Sequence, residues 1–236
     1  NRVGSLGDNC SVIVGKIRNC KILHTLIVNE SIKSATIVSH TRWASVGEVS
    51  ISNCHPVSNI TTNLNSLEPL IHASLNGDIH NYKELIHLSK ADTKTLDPKC
   101  TTDCLSIPIH LSRIDLSSRK EQIEAFNKFQ GSYAIAIQNS LNPERILLSS
   151  KGSQGLYIGV SYDNVMFASD VYGLVENCRY FKSIKSGSLL NIHLNVNPFG
   201  ENFEIELLNL HDGDISILTE SHLKTTNITT RDIDRS

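Results

Sequence analysis

Long apolar runs and an excess of either charge are both missing from this 236-residue chain. The sequence has 22 Lys and Arg residues against 24 Asp and Glu residues, which gives a formal net charge of -2. Without a basic excess, the composition does not favour a nucleic acid or an anionic membrane surface as partner. No apolar stretch approaches the roughly 20 residues needed to cross a bilayer, and the N-terminus lacks a signal-peptide pattern. We therefore expect a cytoplasmic protein that binds neither nucleic acid nor membrane.

Cysteine is also scarce, with six residues in the whole chain. A chain of this length does not need a disulfide scaffold, so we expect reduced thiols that pack as small, buried apolar side chains. Cys100 and Cys104 could be combined with Cys54 and His55 into a zinc site. Structural zinc sites use tighter, paired spacings, which this set lacks. We therefore expect no bound metal.

Short apolar pieces separated by Asn, Ser, Gly and Asp run through most of the chain, and this rhythm is typical of strands. Buried strands are predicted at 12–14, 35–38, 71–75, 134–137, 145–148, 156–160 and 165–168. Helices are predicted at 81–89, 103–114 and 118–129. Hairpins are predicted beyond about Ser183, with segments 189–196 and 203–210 and with turns at 185–187 and 212–213.

The order of these elements, with strands first, helices in the middle and strands again, indicates the domain architecture. It favours an α+β layered domain over a doubly wound sheet. We assign this domain to residues 1–220. Residues 221–236 are polar and predict a linker or tail.

The densest group of special residues is His40-Thr41-Arg42-Trp43-Ala44-Ser45, which follows an apolar run and holds the only tryptophan. A guanidinium at the mouth of a strand offers a fork of donors to a carboxylate, and a hydroxyl three residues later adds a further contact. A surface salt bridge beside a core tryptophan is the alternative interpretation.

Two further pairs of residues have both a structural and a chemical interpretation. Asn76-Gly77 predicts a turn, or else an amide and a glycine N–H that converge on a developing oxyanion. Thr102-Asp103 predicts a helix N-cap, or else a carboxylate exposed at a helix mouth that holds a ligand ammonium. The residues alone leave both pairs of alternatives open.

Taken together and in order, seven groups of residues resemble the class II glutamine amidotransferase domain of the glutamine–fructose-6-phosphate aminotransferases (isomerizing), the glucosamine-6-phosphate synthases. The groups are 40–45 (His-Thr-Arg-Trp-Ala-Ser), 53–56 (Asn-Cys-His-Pro), Asn76-Gly77 with Asn81-Tyr82, Thr102-Asp103, 131–134 (Gly-Ser-Tyr-Ala), Gly152-Ser153 with Ile158-Gly159, and 167–170 (Phe-Ala-Ser-Asp).

The resemblance implies a four-layer αββα sandwich of the N-terminal-nucleophile hydrolase type. In that family an N-terminal cysteine attacks the side-chain amide of L-glutamine, and its own α-amino group is the base. The ammonia released would serve glucosamine 6-phosphate synthesis from fructose 6-phosphate. The resemblance also implies a downstream sugar-isomerase domain, a homodimer formed through that domain, and no metal, nucleotide or flavin cofactor.

Carried over to this chain, the resemblance implies roles for the residues that bind glutamine. Arg42 would bind the α-carboxylate, with Ser45 and His55 nearby. Asp103 would hold the α-ammonium. Trp43 would lie on a loop that shields the site.

For the reaction itself, the resemblance implies that Asn76 and Gly77 form the oxyanion hole. Three positions depart from the family pattern. Val46 and Leu75 stand where histidine is usual, and Ser45 replaces a threonine but keeps the hydroxyl. The two apolar replacements put the hydrogen-bonding network of the site in question.

The start of the chain departs most from the family. The family's Cys-Gly-Ile-Val-Gly strand should lie farther upstream of His40 than the 39 residues that precede it here. We therefore expect the first strand and the catalytic cysteine to be missing, with Cys10 as a minor candidate if residues 1–9 are removed. Because the chain begins with Asn1, we expect a piece of a larger protein that is inactive by itself.

Three functions are consistent with these residues. The leading one is the glutamine-hydrolysing domain that supplies ammonia for glucosamine 6-phosphate synthesis. The second, favoured by Val46 and Leu75, is a catalytically inactive glutamine-binding or regulatory pseudo-amidotransferase. The third is the amidotransferase domain of another synthase. A Met-Cys-Gly start upstream of Asn1 and the nature of the domain beyond Ser236 would discriminate them.

Overall fold

The computed structural model describes residues 19–21, 24–25, 35–41, 45–60, 70–89, 96–161, 164–175, 177–194 and 203–223. Within these ranges the chain forms two antiparallel sheets covered by short helices. None of the described helices combines the length and the apolar character required of a membrane-spanning helix.

Seven described strands form the larger sheet, in the order β1-β2-β3-β4-β8-β9-β10, and every neighbouring pair is antiparallel. These strands are β1 (Val57–Ser58), β2 (Ile71–Ile79), β3 (Gly131–Asn139), β4 (Asn142–Lys151), β8 (Ser188–Leu194), β9 (Phe203–Asn209) and β10 (Ile215–Leu218). The other three form a small sheet in the order β6-β5-β7. They are β5 (Tyr157–Val160), β6 (Val165–Ala168) and β7 (Tyr180–Ser183).

Five described α-helices accompany the sheets, with two short 3-10 helices at Ile51–Asn53 and Asp103–Leu105. The α-helices are α1 (Tyr82–Leu88), α2 (Ser106–Leu111), α3 (Arg119–Asn127), α4 (Tyr172–Val175) and α5 (Glu220–Leu223). Helix α3 begins at the N-cap Ser118, whose hydroxyl accepts a hydrogen bond from the backbone N–H of Glu121. Pro108 lies in the first turn of α2, where a proline removes no intrahelical hydrogen bond.

The large sheet buries one apolar cluster on each of its faces. On β2 the alternating residues Ile71, Ala73 and Leu75 belong to the cluster under α1, α2 and α3. The opposite face packs on the small sheet through a second cluster that includes Leu148 and Ile158. Helix α4 packs on β6, and this completes the order helices, sheet, sheet, helix.

Most of the predicted elements are present. The strands at 71–75, 134–137, 145–148, 156–160 and 165–168 and the three predicted helices all overlap observed elements, and the turns at Gly187 and Gly213 have positive φ. The predicted α+β class is confirmed. The strand predicted at 12–14 lies outside the described residues.

Three predictions need correction. The strand predicted at 35–38 is not observed, and Ile37 is 58% exposed. An apolar run becomes a strand only when its backbone is hydrogen-bonded to another strand, and no strand in the described ranges pairs with residues 35–41. The predicted tail starts too early, since Leu223 of α5 is buried in the second cluster. Of the five described cysteines only Cys104 is buried, and the other four are half-buried.

A buried polar network attaches α3 to the large sheet. Arg119 of α3 makes a bidentate ion pair with Glu206, with N–O distances of 2.5 and 2.6 Å. Asn191, which is fully buried, accepts hydrogen bonds from Gln122 at 3.1 Å and from Arg145 at 2.5 Å. This network is remote from the residues named as a candidate site, and it fixes the helix over the sheet.

The buried imidazole of His110 predicts a pH dependence of stability. Burial, and then the charge of Lys128, lower the pKa of His110 below its ordinary value of 6.5. Because the unfolded chain binds this proton more readily, stability is retained above pH 6.5 and declines as the pH falls from there through the lowered pKa. The free energy of unfolding in urea should therefore fall more steeply from about pH 7 to about pH 5 than it does in a His110→Leu variant. Parallel pH profiles for the two proteins would contradict this assignment.

Candidate functional site

Asn76 and Gly77 lie inside strand β2. Their partners on β3 are Ala134 and Tyr133, and the pairing continues without interruption to Ile79. The interpretation of Asn76-Gly77 as a turn is therefore wrong, because both residues belong to a nine-residue strand. Asn76 is half-buried and alternates with core residues, so it lies on the face that packs toward the small sheet.

Gly77 has a backbone conformation that only glycine adopts at low cost. Its φ is +100°, which is unusual within a strand. A Cβ atom at this position would overlap the carbonyl oxygen of Ser132 and would lie 2.8 Å from Cγ of Gln154. The backbone at Gly77 is therefore closely approached by the neighbouring strand, immediately after Asn76.

Asp103 lies next to the same end of β2. Thr102 is the N-cap of the 3-10 helix Asp103–Leu105, as predicted. Oδ2 of Asp103 accepts a hydrogen bond from the backbone N–H of Ile79 at 2.8 Å, which places the carboxyl group two residues beyond Gly77. The expectation of an exposed carboxylate is wrong: Asp103 is 3% exposed, because the 3-10 helix packs directly on β2.

Opposing influences act on the Asp103 carboxyl group. Burial raises the pKa of Asp103 above its ordinary value, and the charge of Asp78 raises it further, whereas the hydrogen bonds from Ile79 and Thr102 lower it. A cation beside Asp103 would relieve both the burial penalty and the repulsion from Asp78. The surroundings of Asp103 therefore favour a positively charged neighbour.

His55 is held between β2 and the 3-10 helix. Its Nδ1 accepts a hydrogen bond from the backbone N–H of Leu75 at 3.3 Å, and its Nε2 lies 3.4 Å from Oγ1 of Thr102. The ring of His40 stacks against it with a centroid distance of 4.5 Å. His55 is 9% exposed. Through these two contacts it connects the strand that carries Asn76 with the 3-10 helix that carries Asp103.

Ser45 lies beside the end of β2, where its hydroxyl contacts the carboxylate of Asp78. Its Oγ donates a hydrogen bond to Oδ1 of Asp78 at 2.5 Å. The two other residues expected in this segment, Arg42 and Trp43, lie outside the described residues, as does Cys10.

One departure from the family pattern matters less than expected. Leu75 is 2% exposed and packs in the helix-side cluster, on the face opposite to Asn76. Its side chain therefore fills the core, and the replacement of histidine at this position leaves the Asn76 face unchanged.

Sequence reasoning gave no role to Asn53 or Asp78, although both are central to the geometry. Oδ1 of Asn53 accepts hydrogen bonds from the backbone N–H groups of Thr101 and Thr102, at 2.7 and 3.0 Å. Its Nδ2 donates to the carbonyl oxygen of Glu48 at 2.9 Å and to Oγ1 of Thr101 at 3.0 Å. Asn53 is fully buried, and its place in the Asn-Cys-His-Pro segment was the only signal for it.

Two of the cysteines considered for a zinc site donate hydrogen bonds to different backbone carbonyl groups. Sγ of Cys104 donates to the carbonyl oxygen of Ala73, and Sγ of Cys54 donates to that of Ser50. In the described part of the chain, no three His, Cys, Asp or Glu side chains form a group that could hold a metal ion.

Comparison with known proteins relates the chain to glutamine amidotransferases. Residues 64–176 match the family model of a glutamine amidotransferase domain. A glutamine–fructose-6-phosphate aminotransferase (isomerizing) of Clostridium acetobutylicum is 34% identical over 149 residues, covering 63% of this chain and 23% of that protein. Its counterpart in Bacteroides thetaiotaomicron is 31% identical over 179 residues, covering 74% and 28%. The chain thus spans about a quarter of the length of these relatives.

Solved structures identify the fold. The glutamine phosphoribosylpyrophosphate amidotransferase of B. subtilis matches with a TM-score of 0.52 and 17% identity, over 71% of this chain and 33% of that one. A structure described as the allosteric regulatory enzyme of purine biosynthesis matches with a TM-score of 0.54 and 17% identity, over 71% and 34%. The likeness confirms the expected α+β fold of an amidotransferase, and residues 64–176 of the chain belong to a glutamine amidotransferase domain.

Proposed function

We propose that the end of β2 binds L-glutamine and that the domain hydrolyses it to supply ammonia for glucosamine 6-phosphate synthesis from fructose 6-phosphate. The observation that carries this proposal is the placement of Asn76, Gly77 and Asp103 at one end of a single strand. An amide, a glycine backbone N–H and a buried carboxylate are the groups that a free amino acid with a reacting side-chain amide needs.

Asp103 holds the α-ammonium of glutamine in this proposal. A carboxylate offers about four acceptor positions, and Asp103 already accepts from Ile79 and Thr102, with a smaller contribution from the backbone N–H of Cys104. The remaining capacity is available to an ammonium. The Ser45 hydroxyl donates a hydrogen bond to Asp78, so the Ser45–Asp78 pair presents only acceptor oxygens to a ligand. Such a pair favours the ammonium end of glutamine over its α-carboxylate. Arg42, with its guanidinium, is the proposed partner of the α-carboxylate.

Asn76 and Gly77 stabilise the charge that develops during the reaction. Attack by a cysteine thiolate on the side-chain carbonyl carbon places a negative charge on the carbonyl oxygen, and the Asn76 amide and the Gly77 N–H donate to it. Collapse of the intermediate transfers a proton to the leaving nitrogen and releases ammonia. Water then cleaves the thioester to glutamate. The proposed nucleophile is a cysteine at the mature N-terminus, whose α-amino group is the base.

The whole protein's activity and assembly are proposed from its relatives. Two relatives carry the name glutamine–fructose-6-phosphate aminotransferase (isomerizing), and this chain matches about a quarter of their length. We extend that activity to this protein, with a sugar-isomerase domain as the acceptor half and a homodimer formed through it. We also propose a cytoplasmic location, in which cysteines remain reduced.

Asp103→Asn tests the glutamine site. The substitution keeps the shape of the side chain but removes the charge that pairs with the α-ammonium. In the full-length protein, KM for glutamine should rise by about 10- to 100-fold, as expected for the loss of a buried charge-assisted contact. Synthesis supported by free ammonium should be unchanged.

Assays of the unmutated full-length protein test the proposed function itself. Release of ammonia from L-glutamine and glucosamine 6-phosphate formation from fructose 6-phosphate are expected. Binding of glutamine without hydrolysis would instead favour the pseudo-amidotransferase, and activity with a different acceptor would favour another synthase.

A further inference from the structure

A chain of hydrogen bonds runs from β2 through His55 and Thr102 to Asp103. The Leu75 N–H donates to Nδ1 of His55, and Nε2 of His55 lies 3.4 Å from Oγ1 of Thr102. Oγ1 of Thr102 lies 3.2 Å from Oδ1 of Asp103. His55, Thr102 and Asp103 are 9%, 2% and 3% exposed, so the chain is shielded from water.

The backbone fixes the direction of every bond in this chain. Because Nδ1 of His55 accepts from the Leu75 N–H, it carries no proton, and the ring proton of the neutral imidazole is on Nε2. His55 therefore donates to Thr102. The hydroxyl of Thr102 also accepts from the Cys104 N–H at 3.4 Å, so its single proton is directed to Asp103. All three hydrogen-bonding positions of the hydroxyl are thus used.

We propose that Thr102 is a positioning residue that sets the orientation of the Asp103 carboxylate and thereby the affinity for the α-ammonium of glutamine. This inference rests on the proposed function of the site. Thr102 touches no substrate atom in the proposal. It acts by holding Oδ1 of Asp103 in place while Ile79 holds Oδ2, so that the carboxylate keeps one orientation.

The hydrogen bonds that fix the backbone of Thr102 support this role. Oδ1 of Asn53 accepts from the backbone N–H of Thr102 at 3.0 Å and from that of Thr101 at 2.7 Å, which fixes the backbone in front of the 3-10 helix. The neighbouring Thr101 uses its hydroxyl differently, since it accepts from Nδ2 of Asn53 and lies outside the His55–Asp103 chain. The two adjacent threonines therefore offer a matched comparison.

Thr102→Val in the full-length protein removes the hydroxyl and keeps the shape. KM for glutamine should rise by about tenfold with kcat changed by no more than about twofold, since the orientation of a binding group is lost and the reacting groups are intact. Thr102→Ser should restore KM to within about twofold of the parent value. Thr101→Val removes one contact of Asn53 Nδ2, which keeps its hydrogen bond to Glu48, so KM should change by no more than about twofold. Ammonium-supported synthesis should be the same in all four proteins.

The outcomes separate this inference from the proposed function. Equal KM values for Thr102→Val, Thr101→Val and the parent would overturn the role of Thr102 while leaving the glutamine site in place. A parent protein without any response to glutamine would overturn both. If Thr102→Val does not fold, the imidazole nitrogen NMR signals of the parent still decide the matter. A proton on Nε2 of His55 is expected, and a proton on Nδ1 would overturn the inference.

Discussion

Replacing Asn76 with alanine should lower kcat for glutamine hydrolysis by about two to three orders of magnitude, the effect typical of a lost oxyanion donor. KM for glutamine should change little, because Asn76 interacts with a charge that is present only in the transition state. Synthesis supported by free ammonium should be preserved. Steady-state kinetics of the full-length protein with glutamine and with ammonium give all three quantities.

Asn139→Ala is the matched control for this experiment. Asn139 lies at the opposite end of the same strand pair, opposite Ile71, and its Oδ1 accepts from the backbone N–H of Leu141 in the adjoining turn. Removing this amide should leave the kinetics with glutamine unchanged. If Asn76→Ala altered only KM, or if both variants behaved alike, Asn76 would not be an oxyanion donor.

The second large effect is expected from Gly77→Ala, and it concerns stability as well as activity. Alanine at φ +100° is strained, and its Cβ would overlap the carbonyl oxygen of Ser132. The backbone and packing costs together should lower the free energy of unfolding by about 2 to 4 kcal/mol. The strand would have to move away from β3 at the position that follows Asn76, so glutamine hydrolysis should be lost in molecules that still fold.

Gly187→Ala separates the backbone cost from the steric cost. Gly187 has a similar φ of +80°, but a Cβ there meets no atom within 4 Å. This variant should be destabilised by only about 1 kcal/mol in urea denaturation and should keep its activity. Equal destabilisation of the two variants would contradict the close contact between Gly77 and the carbonyl oxygen of Ser132.

Local patterns predicted the parts of the fold that local physics determines. Alternating apolar residues predicted most strands. The helix predicted at 118–129 is present as α3, whose start is set locally because the hydroxyl of Ser118 caps it. The expectation at 35–38 failed because pairing in a sheet depends on distant residues. The turn interpretation of Asn76-Gly77 failed for the same reason, since the nine-residue ladder with β3 overrides the local preference of the pair for a turn.

The structure brings some of the predicted site residues together, but the sequence did not predict their surroundings. The order of short motifs placed Asp103 and His55 in one site. Burial of Asp103 depends on the packing of a 3-10 helix on β2, which no local pattern reports. The contacts of Ser45 with Asp78 and of Asn53 with Thr101 join residues 33 and 48 positions apart. Such contacts depend on how the loops meet, so sequence spacing carries little information about them.

A crystal structure of the full-length protein with bound L-glutamate, the unreactive product, tests the central claim most directly. The account predicts the α-ammonium within hydrogen-bond distance, about 3 Å, of an Asp103 carboxylate oxygen. It also predicts the side-chain carboxylate next to the Asn76 amide and the Gly77 backbone. An amino acid bound in that crystal with its ammonium away from Asp103, or with its side chain away from Asn76, would contradict the account.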